Sequence, residues 1–511
     1  MYYPTLKEAR ALAAGDYREI PVTRELLSDF LTPIQALRIL RAQDNHCFLL
    51  ESAADSEGWG RWSFLGFAPD LEITCKDGVV QLRDGAQRST RIQPPGEALR
   101  QLLAAHKSPR IPGLPPFTGG LVGYFSYDYM KYAEPSLRLT GADQEKFKDM
   151  DLMLFRSVIA FDNFRQKLIL ITNADAADLD NSYPAACAQL DRMAELLRHG
   201  IPAPRRPARL TTAVEPLFSQ EQYCSMVETA KRHIREGNIF QVVLSNRLEA
   251  GFEGSLLDVY RVLRTVNPSP YLFYFTSDDM ELAGASPETL VKLEDGVLHT
   301  FPLAGTRPRG ATPEEDKALE ETLLSDEKEL SEHNMLVDLG RNDIGKISRF
   351  GTVRVEKYLS VERFSHVMHI GSTVRGELAE GKDAVDAIDA ILPAGTLSGA
   401  PKLRAAEIID QLEDNKRGVY GGAIGYLDFT GNLDTCIAIR LAFAKNGKVF
   451  IRSGAGIVAD SVPEKEYQEC INKAQAVVRA LELAQKERDL RSCSSTTMTV
   501  FPTTCINWWG A

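Results

Sequence analysis

Two hydrophobic periods alternate along the chain, and each change of period marks a new element. Short apolar runs bounded by polar or turn residues, Cys47 to Ser52, Trp62 to Phe67 and Leu71 to Cys75, predict strands. Val79 to Leu82 follows the hairpin turn Asp77-Gly78. Val158 to Phe161, Leu168 to Thr172, Ile239 to Leu248, Tyr271 to Phe275, Glu281 to Gly284, Thr289 to Leu293 and Val297 to Phe301 read the same way. Helical spacing appears at Leu6 to Ala14, Ala185 to Arg198, Gln220 to Arg235 and Leu256 to Thr265. Glu314 to Leu339 predicts one long helix on Leu319, Leu323, Leu330 and Val337, and a further helix ends near Leu412. Three strands then form a predicted meander, Gly418 to Phe429, Asp434 to Ala444 and Lys448 to Ser453, turning at Thr430-Gly431-Asn432 and Asn446-Gly447.

The meander delivers the chain to Arg452 to Lys473, where Gly454-Ala455-Gly456 precedes a helix. Ser461 is placed to cap that helix, Pro463 suits its first turn, and Glu464 stands where a capping box needs a carboxylate. Glu466, Glu469 and Lys473 share one helix face, while Tyr467, Ile471, Ala474 and Val478 make an apolar one. A solvated helix with a Glu469–Lys473 ion pair explains this segment equally well by itself.

Gly119 to Phe125 and Gly421 to Leu427 are nearly the same glycine-rich strand, so the two parts of the chain are expected to contribute equivalent strands to one architecture. Gly200 to Glu215, with Pro202, Pro204 and Pro207 among arginines, reads as a linker. The expected organisation is an N-terminal part over 1–200, a linker over 201–216, a second part over 217–485 and an unassigned Ser/Thr-rich tail over 486–511 that carries Trp508 and Trp509.

Composition narrows the class. The 511 residues are 44% hydrophobic, enough for a large core. Lys plus Arg number 59 against 70 Asp plus Glu, a net charge of −11, which argues against a nucleic-acid partner and requires any anionic ligand to be held by local groups. Met1 to Ile20 has neither a secretory nor a transit pattern, no run approaches a membrane span, and the eight cysteines include no Cys-x-x-Cys pair. A cytoplasmic enzyme with reduced thiols is expected.

Two Glu-x-x-Glu pairs stand out, Glu329/Glu332 and Glu466/Glu469. Each alone is what an ordinary charged helix face shows. Facing each other they would offer four carboxylates, which suits Mg²⁺; zinc would want clustered His or Cys. Glu332 and His333 are expected on one face with Glu329. The turns at Gly395 to Pro401 and Gly454 to Pro463 could each present N–H groups to an anion, and Gly305 to Gly310 adds a third with Arg307 and Arg309. His369, in an apolar segment with His366 nearby, is either a core residue or a proton donor and acceptor.

Leu303-Ala304-Gly305-Thr306-Arg307, Glu329-Leu330-Ser331-Glu332-His333, Leu336-Val337-Asp338-Leu339, Gly395 to Lys402 and Ser453 to Val458, in that order between about Gln220 and Leu481, closely resemble the chorismate-utilising enzymes. Leu49-Leu50-Glu51-Ser52 and Asn267-Pro268-Ser269-Pro270-Tyr271 resemble tryptophan-binding elements of the anthranilate-forming branch. Branches that add water to chorismate carry a lysine where this chain has Gln241, and the aminodeoxychorismate-forming branch carries a nucleophilic lysine where it has Ala304. The resemblance therefore implies the branch that uses ammonia, with aminodeoxychorismate formation or a non-catalytic tryptophan-binding subunit as alternatives.

The resemblance implies an α+β fold, a large two-layered antiparallel β-sheet sandwich flanked by helices, with the N-terminal part contributing strands. It implies Mg²⁺ on Glu332 and Glu469 with Glu329 and Glu466 close by, and His369, Glu288 and Thr396 at the reacting centre. Gly305, Thr306, Tyr420, Arg440, the Gly454, Ala455 and Gly456 amides and Lys473 would hold chorismate. Ser52, Pro270, Tyr271 and Leu272 would take L-tryptophan as inhibitor. A glutamine amidotransferase subunit would supply ammonia in a hetero-oligomer.

Overall fold

The computed structural model describes residues 1–53, 60–363 and 367–496, with only the backbone of the last helix beyond Lys486. Strand alternation turns Phe48, Phe64, Tyr124, Phe155, Phe273, Phe443 and Phe450, drawn from both parts of the chain, into one buried layer with Phe117. The rings interlock: Phe48 meets Phe155 edge-on at 4.8 Å. Each such ring stabilises the fold by about 2–3 kcal/mol through burial. The layer is the filling between two antiparallel sheets of 14 and 12 strands.

The two parts of the chain are interleaved in both sheets. In the larger sheet Cys47–Glu51 pairs with Tyr271–Thr276, Leu50 opposite Phe273. In the smaller one Gly120–Phe125 pairs with Ala423–Asp428, so the two glycine-rich passages are partners in one ladder with Gly123 opposite Gly425. Each glycine admits a backbone at close range: a Cβ would stand 2.1 Å from the Asp151 carbonyl at Gly123 and 2.0 Å from that of Asp434 at Gly425. Helices Pro33–Leu40, Leu179–His199, Leu256–Val266 and Pro463–Thr496 cover the outside of the larger sheet. Pro95–Ala105, Glu327–Gly345 and Ala384–Ile391 cover the smaller one. Among the described residues no helix is long and apolar enough to cross a membrane. Within 201–216, Arg209–Leu210 and Glu215–Pro216 pair with Gln241–Glu253.

Four local expectations change. The single helix over Glu314 to Leu339 is two, Pro313–Leu324 and Glu327–Gly345, because the Asp326 carboxylate accepts from the Lys328 and Glu329 N–H groups at 3.1 and 3.3 Å and starts a new helix. The middle strand of the meander is also two: Leu433–Ile437 belongs to the smaller sheet and Leu441–Lys445 to the larger. The chain crosses between sheets at Ala438 to Arg440, and Arg440 takes φ +50° there. Ser461 does not form the expected box; its hydroxyl accepts from the Val458 N–H at 3.1 Å and bonds the Glu466 carboxylate. His333 turns away from Glu332 into the core, its Nε2 2.7 Å from the Ser372 hydroxyl, and burial pushes its pKa down to about 4. His366, Trp508 and Trp509 lie outside the described residues.

Candidate active site

A cavity of about 590 Å³ opens between the two glutamate-bearing helices and the strands on which the sheets meet them. Its floor is Lys448–Ile457, which pairs along most of its length with Gln241–Glu253. Ser245 sends its N–H to Glu413 at 2.8 Å and Val243 sends its own to the Ser398 carbonyl at 2.9 Å, both away from the floor strand. The Ser245–Gly454 and Val243–Gly456 pairs are therefore the non-hydrogen-bonded ones, and the Gly454 and Gly456 amides point outward. The flanking strand Leu441–Lys445 reaches only to Ile451, so among the described residues no strand takes these amides. Both glycines line the cavity. Ala455 alternates to the other face, fully buried, and its amide belongs to the ladder with Leu244.

Beneath the floor lies a buried ion cluster. Glu413 binds Arg417 and Arg452, each at 2.6 Å, and accepts from the Ser245 N–H and hydroxyl at 2.8 and 2.9 Å. Burial pushes the Glu413 carboxyl up, but the two guanidiniums outweigh it and hold it below the ordinary range. This cluster fixes the strand that presents the glycines.

Glu329 and Glu332 on one helix and Glu466 and Glu469 on the other all line the cavity. Burial raises the Glu332 carboxyl, neighbouring Glu329 and Glu469 raise it further, and Lys328 and Lys473 oppose them. Burial likewise raises Glu466, with the Ser461 bond opposing and Glu469 adding. Lys473 bridges Glu469 at 2.7 Å and the Gly454 carbonyl at 3.2 Å. The set has more negative charge than it can comfortably hold, and all its donors are oxygens; it fits a hard divalent cation. Among the described residues a tighter acidic group exists elsewhere, His46, Glu72 and Asp278, but Arg83 already stands in it, 2.8 Å from Glu72 and 2.6 Å from Asp278.

The opposite wall carries His369, Glu288, Thr396, Gly305, Thr306, Tyr420 and Arg440. His369 Nδ1 lies 2.8 Å from the Gly305 carbonyl, so it bears the proton of the neutral ring, and the Thr306 hydroxyl is 3.1 Å away. Burial lowers the pKa of His369 and Arg440 lowers it further, against the Gly305 bond. Glu288 accepts from the Thr396 hydroxyl at 3.1 Å; burial pushes its carboxyl up to about 7 against that bond and the charges of Lys473 and Arg440. Burial also lowers the Arg440 guanidinium, with Glu288 opposing. Gln241 and Ala304 both face the cavity.

Lys328, Arg452, Ser453 and Ser461 line the cavity too, although none of them was expected from the sequence as a site residue. Lys328 carried a usable signal, one helical turn before Glu332. Arg452 carried none, since its partner Glu413 is distant in sequence. Ser52, Pro270, Tyr271 and Leu272 meet at a second cavity of about 110 Å³, with Trp62, Phe64, Glu51, Lys292 and Asp434.

A cavity at a sheet crossing, lined by paired carboxylates, two arginines, two lysines and outward amides, offers the groups that an enzyme would use to hold a small polycarboxylate. A family described as chorismate binding enzyme matches residues 83–479. Anthranilate synthase component 1 of Acetivibrio thermocellus is 45% identical over 501 residues, 96% of this chain and 100% of that protein. That of Aquifex aeolicus is 41% identical over 95% of this chain and 99% of its own length. The crystal structure of anthranilate synthase component I from Streptococcus pneumoniae is 40% identical and superposes with a TM-score of 0.74 over 88% of this chain and 98% of that one. The menaquinone-specific isochorismate synthase of Escherichia coli shares the fold at 21% identity and a TM-score of 0.67 over 93% of this chain and 98% of that one. The chain belongs to the chorismate-binding enzymes and, within them, to the anthranilate synthase component 1 family.

Proposed function

We propose that the chain is the chorismate-converting subunit of an anthranilate synthase, turning chorismate and ammonia into anthranilate, pyruvate and water, the entry step of L-tryptophan synthesis. The carrying observation is one cavity that joins four glutamates to Arg440, Lys473 and the Gly454 and Gly456 amides, while Gln241 and Ala304 supply no amine. The two positions whose lysines would direct sister enzymes to another nucleophile are chemically silent here, so the nucleophile comes from solution or from a partner.

Mg²⁺ held by Glu332 and Glu469, with Glu329 and Glu466 beside them, would supply positive charge for the ring carboxylate of chorismate. Arg440 offers a planar fork to a carboxylate, and Lys473 and the glycine amides add local positive charge that the acidic chain lacks overall. Tyr420, Gly305 and Thr306 bound the ring. Glu288, with a pKa of about 7, is the acid suited to protonate the departing 4-hydroxyl, and Thr396 orients its carboxyl. His369, neutral at pH 7 with Nε2 unprotonated, accepts or returns a proton as ammonia adds at C2 and pyruvate leaves. Ammonia is scarce at neutral pH, so a glutamine amidotransferase partner in a hetero-oligomer supplies it. The second cavity, with Ser52 and Pro270 to Leu272 among Trp62 and Phe64, suits an aromatic amino acid, and L-tryptophan there is the inhibitor. In this reading 1–200 is the regulatory part and 217–485 the catalytic one, joined by 201–216. Free thiols at the described cysteines support a cytoplasmic protein.

Purified protein given chorismate, Mg²⁺ and an ammonium salt at alkaline pH is expected to form a fluorescent product and pyruvate together. The absence of both products would refute the reading. An aminated product without pyruvate would favour aminodeoxychorismate formation, and tryptophan binding without turnover a regulatory subunit.

A further inference from the structure

Arg440 is the cavity's carboxylate fork, yet it sits on the sheet crossing, with a left-handed backbone that a non-glycine residue holds only under constraint. The constraint comes from behind the cavity. The Arg440 Nη1 donates to the Asn267 side-chain oxygen at 3.3 Å. The Asn267 side-chain nitrogen donates to the Ala285 carbonyl at 3.4 Å, and the Ala285 N–H donates to the Arg440 carbonyl at 3.1 Å. One asparagine thus closes a three-membered circuit through both the side chain and the backbone of the arginine. Asn267 is itself pinned: its N–H caps the helix Leu256–Val266 on the Leu263 carbonyl at 2.8 Å, Pro268 follows, and its carbonyl accepts from the Ser269 hydroxyl at 3.2 Å. Asn267 does not itself line the cavity and reaches it through Arg440.

We propose that Asn267 is a positioning residue for substrate binding: it sets the direction of the Arg440 guanidinium and so the affinity for one carboxylate of chorismate. The proposal rests on Arg440 acting as a carboxylate fork in the function proposed above. An amide is suited to the task where Asp is not. It gives an acceptor to the guanidinium and a donor to Ala285 without neutralising the charge that the ligand needs.

The test is steady-state kinetics on the full chain with ammonium as nucleophile. Asn267→Ala is expected to raise KM for chorismate about tenfold, the effect of one lost charged hydrogen bond, while KM for ammonium and kcat stay within about threefold. Asn267→Asp is expected to raise it further, because the new carboxylate consumes the charge of Arg440. In an Arg440→Ala background, Asn267→Ala is expected to add nothing to KM. An unchanged KM with a lower kcat would mean only a helix-end role and would overturn the proposal, as would additive effects in the double variant. If Asn267→Ala does not fold, Asn267→Asp and the double-variant comparison built on it decide in the same way. If the wild type turns over no chorismate, the function proposed above fails; fluorescence titration with anthranilate, a planar carboxylate, then reads whether Asn267→Asp weakens carboxylate binding, and equal affinities would overturn the positioning role independently.

Discussion

Glu288→Gln separates what the site costs from what it does. A carboxyl moved from 4.5 to about 7 by burial binds its proton more tightly in the folded chain than in the unfolded one. The stability it contributes is therefore complete below about pH 4.5 and is lost as pH rises through about 7. At 1.36 kcal/mol per decade the loss at pH 8 has a ceiling of about 3 kcal/mol, which water in the cavity reduces to about 1–2 kcal/mol. Gln keeps the size and a hydrogen bond with Thr396 without the ionisation. Urea denaturation should show the variant more stable than the wild type by about 1–2 kcal/mol at pH 8, with the advantage gone near pH 5. Its turnover should fall by about 10²–10⁴ if Glu288 is the proton donor. In the wild type, kcat/KM at fixed free ammonia should fall above pH 7, and this limb should be absent from the residual activity of the variant. A variant no more stable at pH 8, or one with wild-type turnover, would refute the reasoning.

Glu413→Gln leaves two buried guanidiniums without their counter-charge and should cost about 3–5 kcal/mol in urea denaturation; a loss under about 1 kcal/mol would show that the cluster does not brace the floor strand. Gly454→Ala puts a Cβ 2.7 Å from the Leu244 carbonyl and 3.0 Å from the Tyr420 hydroxyl, whereas Gly456→Ala meets the movable end of Gln241 at 2.8 Å. Thermal denaturation should rank Gly454→Ala as the more damaging to the fold, and the opposite order would be inconsistent with this packing. Glu332→Gln and Glu469→Gln should each abolish Mg²⁺-dependent turnover while the chain stays folded by circular dichroism; full activity in either removes it from the metal set.

Much of the fold was legible because strands with short apolar runs and hairpin turns declare themselves locally, as Asp77-Gly78 does between Leu71–Lys76 and Val79–Asp84. Matching glycines in two passages also foretold shared strands, though not that Gly123 and Gly425 would face each other. The breaks were not legible. A helical period runs smoothly through Ser325-Asp326, and only the capping bonds of Asp326 show that the chain restarts there. The crossing at Ala438 to Arg440 is equally silent, because the apolar run continues while the chain changes sheets. The site residues emerged through the family resemblance more than through pattern, since charged helix faces are common. What raises the Glu332 and Glu466 carboxyls is first their burial in the cavity wall and then neighbouring charge, Glu329 and Glu469 for Glu332 and Glu469 for Glu466. Spacing within one helix shows the i,i+3 neighbour but neither the burial nor the approach of Glu469 to Glu332.

The strand that leads into the crossing, Leu433–Ile437, ties the second cavity to the segment that carries Glu288. Tyr271 lines the second cavity, and its hydroxyl reaches Asp434 at 2.8 Å and the Thr289 hydroxyl at 3.1 Å. Thr289 follows Glu288, and Asp434 lies on Leu433–Ile437, whose last N–H is given to the Glu288 carbonyl at 2.9 Å. A ligand that displaces the Tyr271 hydroxyl therefore acts on both chain segments that hold Glu288, with no need for the substrate cavity to be blocked. Tyr271→Phe keeps the ring in the second cavity and removes both bonds, so it tests whether those bonds carry the effect of a ligand bound there. The expected result is weaker inhibition of anthranilate formation by L-tryptophan, read as at least a fivefold rise in the half-inhibiting concentration, while calorimetric tryptophan affinity changes less. An inhibition constant that moves only in step with the binding constant would mean that Tyr271 serves the pocket alone and that the path to Glu288 runs elsewhere.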